Sequence, residues 1–267
     1  LTAIFLCLAA AGVAAPGAAA DTCTNDFRTR IAANDECLVI ITRGTPGEKT
    51  TLAVFIHGDG YARNPSNYGP SDYMVRLASY YSRPGLVAIA LIRPGYFDSK
   101  RNYSTGRSFR DKDNYRPVVI ATVAAAIKAL KEHYRADHVV LAGHSGGAAI
   151  SAVIIGKYPQ LANAAVLAAC PCNIPKWRTR RRGHNSWTRS LSPHNFTDQV
   201  DIHTRVVAIT GERDRNTTPD LAEEFAATLS TRGLSARAII VPGAGHNDVL
   251  RTPAYLNTLG EILQRPP

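Results

Sequence analysis

Three short stretches of the chain carry residue types able to make and break an acyl bond. "LAGHSGGA", residues 141–148, holds Ser145 in a Gly-x-Ser-x-Gly pattern; "RVVAITGERDRNTTP" holds Asp214, and "ARAIIVPGAGHNDVL" holds His246. A serine hydroxyl is a poor nucleophile until a base removes its proton and an acid orients that base. The order serine, acid, histidine is the one that accompanies this serine pattern. Ser145 is therefore expected as nucleophile, His246 as base and Asp214 as orienting acid. Glu212 and Asp220 are rival acids, but Asp214 lies in the loop beyond Gly211, where its side chain can turn towards a histidine on the next loop.

A fourth stretch, "LAVFIHGDGYARN", ends an early apolar run in His57-Gly58-Asp59-Gly60. A glycine-rich loop there can aim a backbone N–H at a reacting carbonyl, and the N–H after the serine supplies a second donor. Asp59 or Gly60, together with Gly146, is the expected oxyanion hole. His57 reads as a residue that shapes this loop. His144, beside the nucleophile, reads as a packed neighbour at the wall of the substrate site, where Tyr61, Trp177 and Trp187 are also expected to make contact.

The elements that must position these groups follow from periodicity. Short Val- and Ile-rich runs at 37–42, 52–56, 86–92, 138–142, 164–169, 205–210 and 237–241 alternate with segments of helical period at 115–134, 148–157, 219–231 and 248–264. That alternation predicts an α/β fold with a central, mostly parallel sheet flanked by helices. The serine then sits on a sharp strand-to-helix turn, lifted clear of the sheet beside the positive end of the helix that follows. The glycines around it are needed because a Cβ would collide with the neighbouring strand or helix. Residues 171–203 show no clear period and are expected as a short irregular cap over one end of the sheet.

Taken together, "HGDG", "RPGYFDS", "GHSGG", "GERD" and "GAGH" resemble the α/β-hydrolases over roughly 50–264, and most closely the dienelactone-hydrolase and prolyl-oligopeptidase-like branch. Nothing in the sequence reads as the propeller of the large oligopeptidases. The resemblance implies hydrolysis through an acyl-enzyme, without metal or organic cofactor.

The rest of the chain sets the context. With 45% hydrophobic and 19% charged residues, the 267-residue chain has the composition of a globular protein. Residues 1–20 are uncharged and end in Ala-Ala-Ala, which reads as part of a secretory signal peptide cut near Ala20, leaving one domain over 21–267. Removal of Cys7 with that segment leaves four cysteines, and Cys23–Cys37 and Cys170–Cys172 are the expected disulfides of an exported chain. Stable membrane insertion is not expected after cleavage. The net charge of +10 is concentrated in "KWRTRRRGHNSWTR", residues 176–189, which also holds both tryptophans. A basic and aromatic strip can bind single strands, but export and the lack of a recognised motif argue against nucleic acid. The histidines show no metal-ligand spacing, so no metal is expected. The reading is an exported, secreted or periplasmic, serine hydrolase of carboxylic esters, small-molecule or polymeric; a small serine peptidase and a non-catalytic binding protein on the same fold are the alternatives.

Overall fold

Apolar runs without polar interruption must be covered on both faces, and they form the middle of the sheet. The computed structural model describes residues 23–60, 69–106 and 113–264. Its strands are β1 (Arg30–Ala33), β2 (Glu36–Arg43), β3 (Thr51–Ile56), β4 (Leu86–Leu91), β5 (His138–His144), β6 (Ala164–Ala168), β7 (Arg205–Gly211) and β8 (Ala236–Val241), in the order β1-β2-β4-β3-β5-β6-β7-β8. From β4 onwards all neighbours pair parallel, while β2 joins β4 and β1 joins β2 antiparallel. All six residues of both β3 and β4 are buried.

Helices α1 (Gly69–Tyr81), α2 (Pro117–His133), α3 (Gly146–Lys157), α4 (Ile174–Arg182), α5 (Pro219–Thr231) and α6 (Pro253–Leu263) complete the fold. Along β3 the side chains alternate: Leu52, Val54 and Ile56 pack in one core with α2, α3 and α5, and Ala53 and Phe55 in a second with α1 and α6. The sheet is thus a middle layer with apolar material on each side.

Three differences from the sequence reading have physical causes. α1 was not expected, although Met74, Leu77, Ala78 and Tyr81 form a buried stripe at helical spacing, because exposed Tyr80 and half-buried Tyr73 and Val75 blur its contrast. α4 brings order to a segment expected to be irregular. Its sequence IPKWRTRRR buries only Ile174 and Trp177, so it has no apolar stripe, yet Asn173 caps it at Lys176 N (3.1 Å) and Gly183 ends it at φ 75°. The single helix expected over 248–264 is divided at Pro253 into a 3-10 turn, Asp248–Arg251, and α6. Cys23 is paired with Cys37 and Cys170 with Cys172, at Cα separations of 5.4 and 5.1 Å. The expected signal segment and Tyr61 lie outside the described residues.

The turn from β5 into α3 is the tightest place in the fold. A Cβ on Gly147 would lie 2.0 Å from the Ile56 carbonyl oxygen and 2.6 Å from that of His57, and one on Gly143 would lie 2.6 Å from Ala148 Cα. These obstacles are backbone, which cannot rotate away. Gly147→Ala is expected to destabilise the protein by about 3 kcal/mol or more in urea unfolding. Gly183→Ala, with nothing within 4 Å of the new methyl, meets only the cost of a left-handed residue, about 1 kcal/mol. Equal losses for the two variants would contradict this packing.

Candidate active site

Ser145 follows β5, and the elbow holds its backbone at φ 52°, ψ −116°. This conformation is costly for a residue with a side chain and persists only because the surroundings enforce it. Its N–H donates to Ala168 O at the end of β6 (2.8 Å). His246 lies beyond β8 and Asp214 beyond β7, and the two loops are fastened together: Arg213 N donates to Ala244 O (2.9 Å), and a Cβ on Gly211 would lie 2.2 Å from that same oxygen. All three side chains therefore gather at the carboxyl ends of parallel strands.

The three groups form a continuous relay. His246 Nδ1 is 2.8 Å from Asp214 Oδ2 and His246 Nε2 is 3.1 Å from Ser145 Oγ. A carboxylate can only accept here, so Nδ1 carries the ring proton and Nε2 is left to accept the serine proton. Asp214 also accepts from Asn216 N (2.8 Å), Thr217 N (2.9 Å) and Thr217 Oγ1 (2.7 Å). Burial alone would raise its pKa; hydrogen bonding to His246, the His246 charge and the Thr217 bonds outweigh that and hold it below the ordinary carboxylate range. Of the rival acids, Glu212 accepts from Gly243 N (2.8 Å) and Asp220 pairs with Arg180 (2.8 Å), so neither reaches the histidine.

The loop opposite Ser145 is anchored by a charge pair between a fully buried arginine and a partly buried aspartate. Arg93, with no exposure at all, donates from Nη1 to Asp59 Oδ1 (2.8 Å) and to His57 O (3.3 Å). Tyr115 donates its hydroxyl to Asp59 Oδ2 (2.6 Å) and Tyr96 lies 3.4 Å from Oδ1. Burial would raise Asp59, but the Arg93 charge and these donors bring it below the usual range, so an ion pair sits beneath the loop. The Asp59 carboxylate occupies the space a Gly146 side chain would need, since a Cβ there would lie 2.5 Å from Oδ1. Asp59, Gly60 and Gly146 all line the site or touch its lining, with Gly146 at the first turn of α3. Sequence reading saw Asp59 only as a backbone donor. It missed Arg93 and Tyr115, although an arginine ending the apolar run 86–92 is a visible signal of a buried cation with a partner.

Two further histidines sit close by and stay neutral. His57 Nε2 accepts from Arg93 N (3.1 Å), which leaves Nδ1 to donate to Gly58 O (2.8 Å). Burial first, then the Arg93 charge, pushes its pKa down to about 3. His144 Nε2 lies 3.1 Å from His246 O, and burial followed by the His246 charge lowers its pKa to about 4. His57 is thus fixed as a strut of the loop, and His144, which also lines the pocket, braces the histidine loop.

These groups open into a pocket of about 450 Å³. Trp177 and Trp187, 5.4 Å apart edge to face, line it, and Trp187 also meets Tyr115 at 5.3 Å. Asn216 links this wall to the relay: its Nδ2 is 3.1 Å from His246 Nε2, while its Oδ1 accepts from Trp177 Nε1 (3.3 Å) and from Arg181. Nothing in the sequence pointed to Asn216.

Residues 85–259 match the prolyl oligopeptidase family. The chain belongs to that family. Its fold is that of the α/β-hydrolases, as the sequence resemblance implied. Human acylamino-acid-releasing enzyme is 28% identical over 137 residues, which span 43% of this chain and 18% of that protein. The fold is similar to that of Pyrococcus horikoshii acylaminoacyl peptidase (15% identity, TM-score 0.62, covering 89% of this chain and 41% of that one). It is equally similar to Est1E from Butyrivibrio proteoclasticus, solved with ferulic acid bound (15% identity, TM-score 0.61, 88% and 99%).

The neutral histidines give the family member a measurable acid sensitivity. In the unfolded chain each imidazole takes up its proton near pH 6.5; in the folded protein His144 does so only near 4 and His57 near 3. Between pH 6.5 and 4 the unfolded state therefore binds more protons, and stability falls as pH falls, by about 1.4 kcal/mol per pH unit for each histidine at most. Denaturant midpoints measured from pH 7 to 4.5 are expected to drop steadily over this window, before the carboxylates titrate. A flat profile would contradict neutral burial of both rings.

Proposed function

We propose that this family member is an exported hydrolase of carboxylic esters. The observation that carries the reading is the relay from Asp214 through His246 to Ser145, already within hydrogen-bond reach and open to a pocket. His246 Nε2 takes the Ser145 proton as Oγ attacks the ester carbonyl. The oxyanion is met by the N–H of Gly146 and by an N–H of Asp59 or Gly60, a donor pair of the kind whose members are each worth about 3 kcal/mol of barrier. The imidazolium then gives its proton to the departing alkoxide. Water, deprotonated by the same nitrogen, releases the acid and restores Ser145.

An ester rather than an amide is favoured by the chemistry of the leaving group. An alkoxide departs readily, whereas an amine must be protonated as it leaves, which asks for a tighter hold on the substrate than an open pocket gives. The fold likeness to Est1E, which covers nearly all of that protein, fits the same reading. The likeness to acylaminoacyl peptidases keeps peptide cleavage as the second reading. Export is read from the uncharged residues 1–20 and from the two cysteine pairs, which suit an oxidising compartment. In the same reading Trp177 and Trp187 form an aromatic wall for the acyl or alcohol part.

For one acyl group presented as a p-nitrophenyl ester and as a p-nitroanilide, kcat/KM is expected to be far higher for the ester; parity would assign the protein to peptide chemistry. Ser145→Ala is expected to lower kcat on the ester about 10⁶-fold and Asp214→Asn about 10⁴-fold, both leaving the fold intact by circular dichroism. Retained turnover in folded Ser145→Ala would remove this nucleophile from the mechanism.

A further inference from the structure

The two faces of α4 differ in how their charges are met. Lys176 pairs with Asp220 at 2.8 Å and with Glu224, and Arg180 pairs with Asp220 at 2.8 Å, so this face is tied to α5. Arg178, Arg181 and Arg182 line the pocket instead, and among the described residues no carboxylate lies within ion-pair distance of any of them. From the opposite wall Arg76 and Arg251 add two more guanidinium groups, the latter 5.8 Å from the Tyr73 ring centre. Among the described residues the single acidic one lining the pocket, Asp59, is already neutralised by Arg93.

Arg178 is the most constrained of the set. Its guanidinium lies 4.7 Å from the Trp187 ring centre and 5.4 Å from that of Trp177, and its Nε is buried without a hydrogen-bond partner. Burial and then the charges of Arg182 and Arg181 press its pKa below the ordinary arginine range. Asn114, 6% exposed, also lines this pocket with its Oδ1 buried and unpartnered. Crowding like charges and leaving buried polar atoms unsatisfied both cost stability, and such departures gather where a ligand completes the site. Arg181 places the unmet charge beside the chemistry, because it holds Asn216, whose amide is 3.1 Å from the base His246.

We propose that the substrate is an anion: an ester bearing a carboxylate, sulfate or phosphate group close to the scissile bond, bound by Arg178, Arg181 and Arg182 and flanked by Trp177 and Trp187. Guanidinium forks match such oxyanions bidentately, and the tryptophan faces hold the arginine plane in place. This rests on the ester reading above and names its substrate class.

The test compares kcat/KM within matched pairs: p-nitrophenyl hydrogen glutarate against p-nitrophenyl pentanoate for charge on the acyl side, and 3-carboxyphenyl against phenyl butyrate for charge on the alcohol side. In at least one pair the charged ester is expected to win by about tenfold or more at low salt. That advantage is expected to shrink at about 0.5 M NaCl, where screening is strong. The double variant Arg181→Ala with Arg182→Ala is expected to lower the charged-to-neutral ratio about tenfold. Lys176→Ala with Arg180→Ala, which removes as much charge from the same helix, is expected to leave the ratio as it was.

No preference in either pair, or an equal fall of the ratio in both double variants, overturns the proposal. Binding supplies a readout free of turnover, since the two tryptophans of the chain both line this pocket. Glutarate is expected to change their fluorescence saturably and glutaramide not to, with the response lost in the Arg181 and Arg182 variant; no response, or the same response to both, also overturns it. Neutral esters hydrolysed without an anion preference would leave the ester reading standing. Saturable glutarate binding with no ester turned over would remove that reading while keeping the anion site.

Discussion

The site depends on how closely the first turn of α3 approaches the end of β3. With glycine at 143 and 147 the helix can start against the Ile56 and His57 carbonyls, and the chain reversal this demands puts Ser145 at positive φ. The strain and the placement of the hydroxyl are thus two aspects of one contact. Because the helix begins immediately after the serine, its first N–H groups have no partner within the helix and its positive end lies beside Ser145. The same approach brings Gly58 against the nucleophile, since a Cβ there would lie 3.0 Å from Ser145 Cβ. Loop, elbow and helix are therefore positioned as a unit, and the relay through His246 and Asp214 is added from the two strands beyond.

Charge is handled in opposite ways on the two sides of the nucleophile. At the loop after β3, Arg93 is fully buried and Asp59 partly so, and each is compensated by the other and by two tyrosines. A pair with one member buried adds little net stability, but removing Asp59 would leave the Arg93 charge buried and unmatched, so the pair enforces one loop conformation. Across the pocket, α4 presents Arg178, Arg181 and Arg182, which meet no counter-charge among the described residues. The fixed negative charge is thereby kept paired, while the solvent-facing wall stays positive. A pocket with this division favours an incoming anion through the field of its wall, while the reaction centre itself meets only neutral donors.

The parts of this arrangement that were legible in the sequence are those governed by local rules. Gly143 and Gly147 around Ser145, a strand before and a helix after, specify the elbow within a few residues, and the order Ser145, Asp214, His246 follows from strands that each end in a glycine-containing loop. Asp214 could be preferred over Glu212 from its position alone, and the fastening of Gly211 to Ala244 supplies the physical reason. The contacts that were not legible join residues far apart in sequence. Tyr115 reaching Asp59, and Asn216 bridging His246 to Trp177, depend on how helices dock, which no local period encodes. α4 escaped notice because its amphipathicity is electrostatic: one face is ion-paired and the other is not, with almost nothing apolar to mark either.

The claim on which the account rests is that Ser145 becomes acylated during turnover. Acid quenching of the reaction with a p-nitrophenyl ester in its first turnovers, followed by peptide mass mapping, measures this directly. The account predicts an added mass equal to the acyl group on the peptide that contains Ser145, and its loss on incubation without ester. Turnover with no acylated peptide, or with the acyl group on another residue, would contradict it.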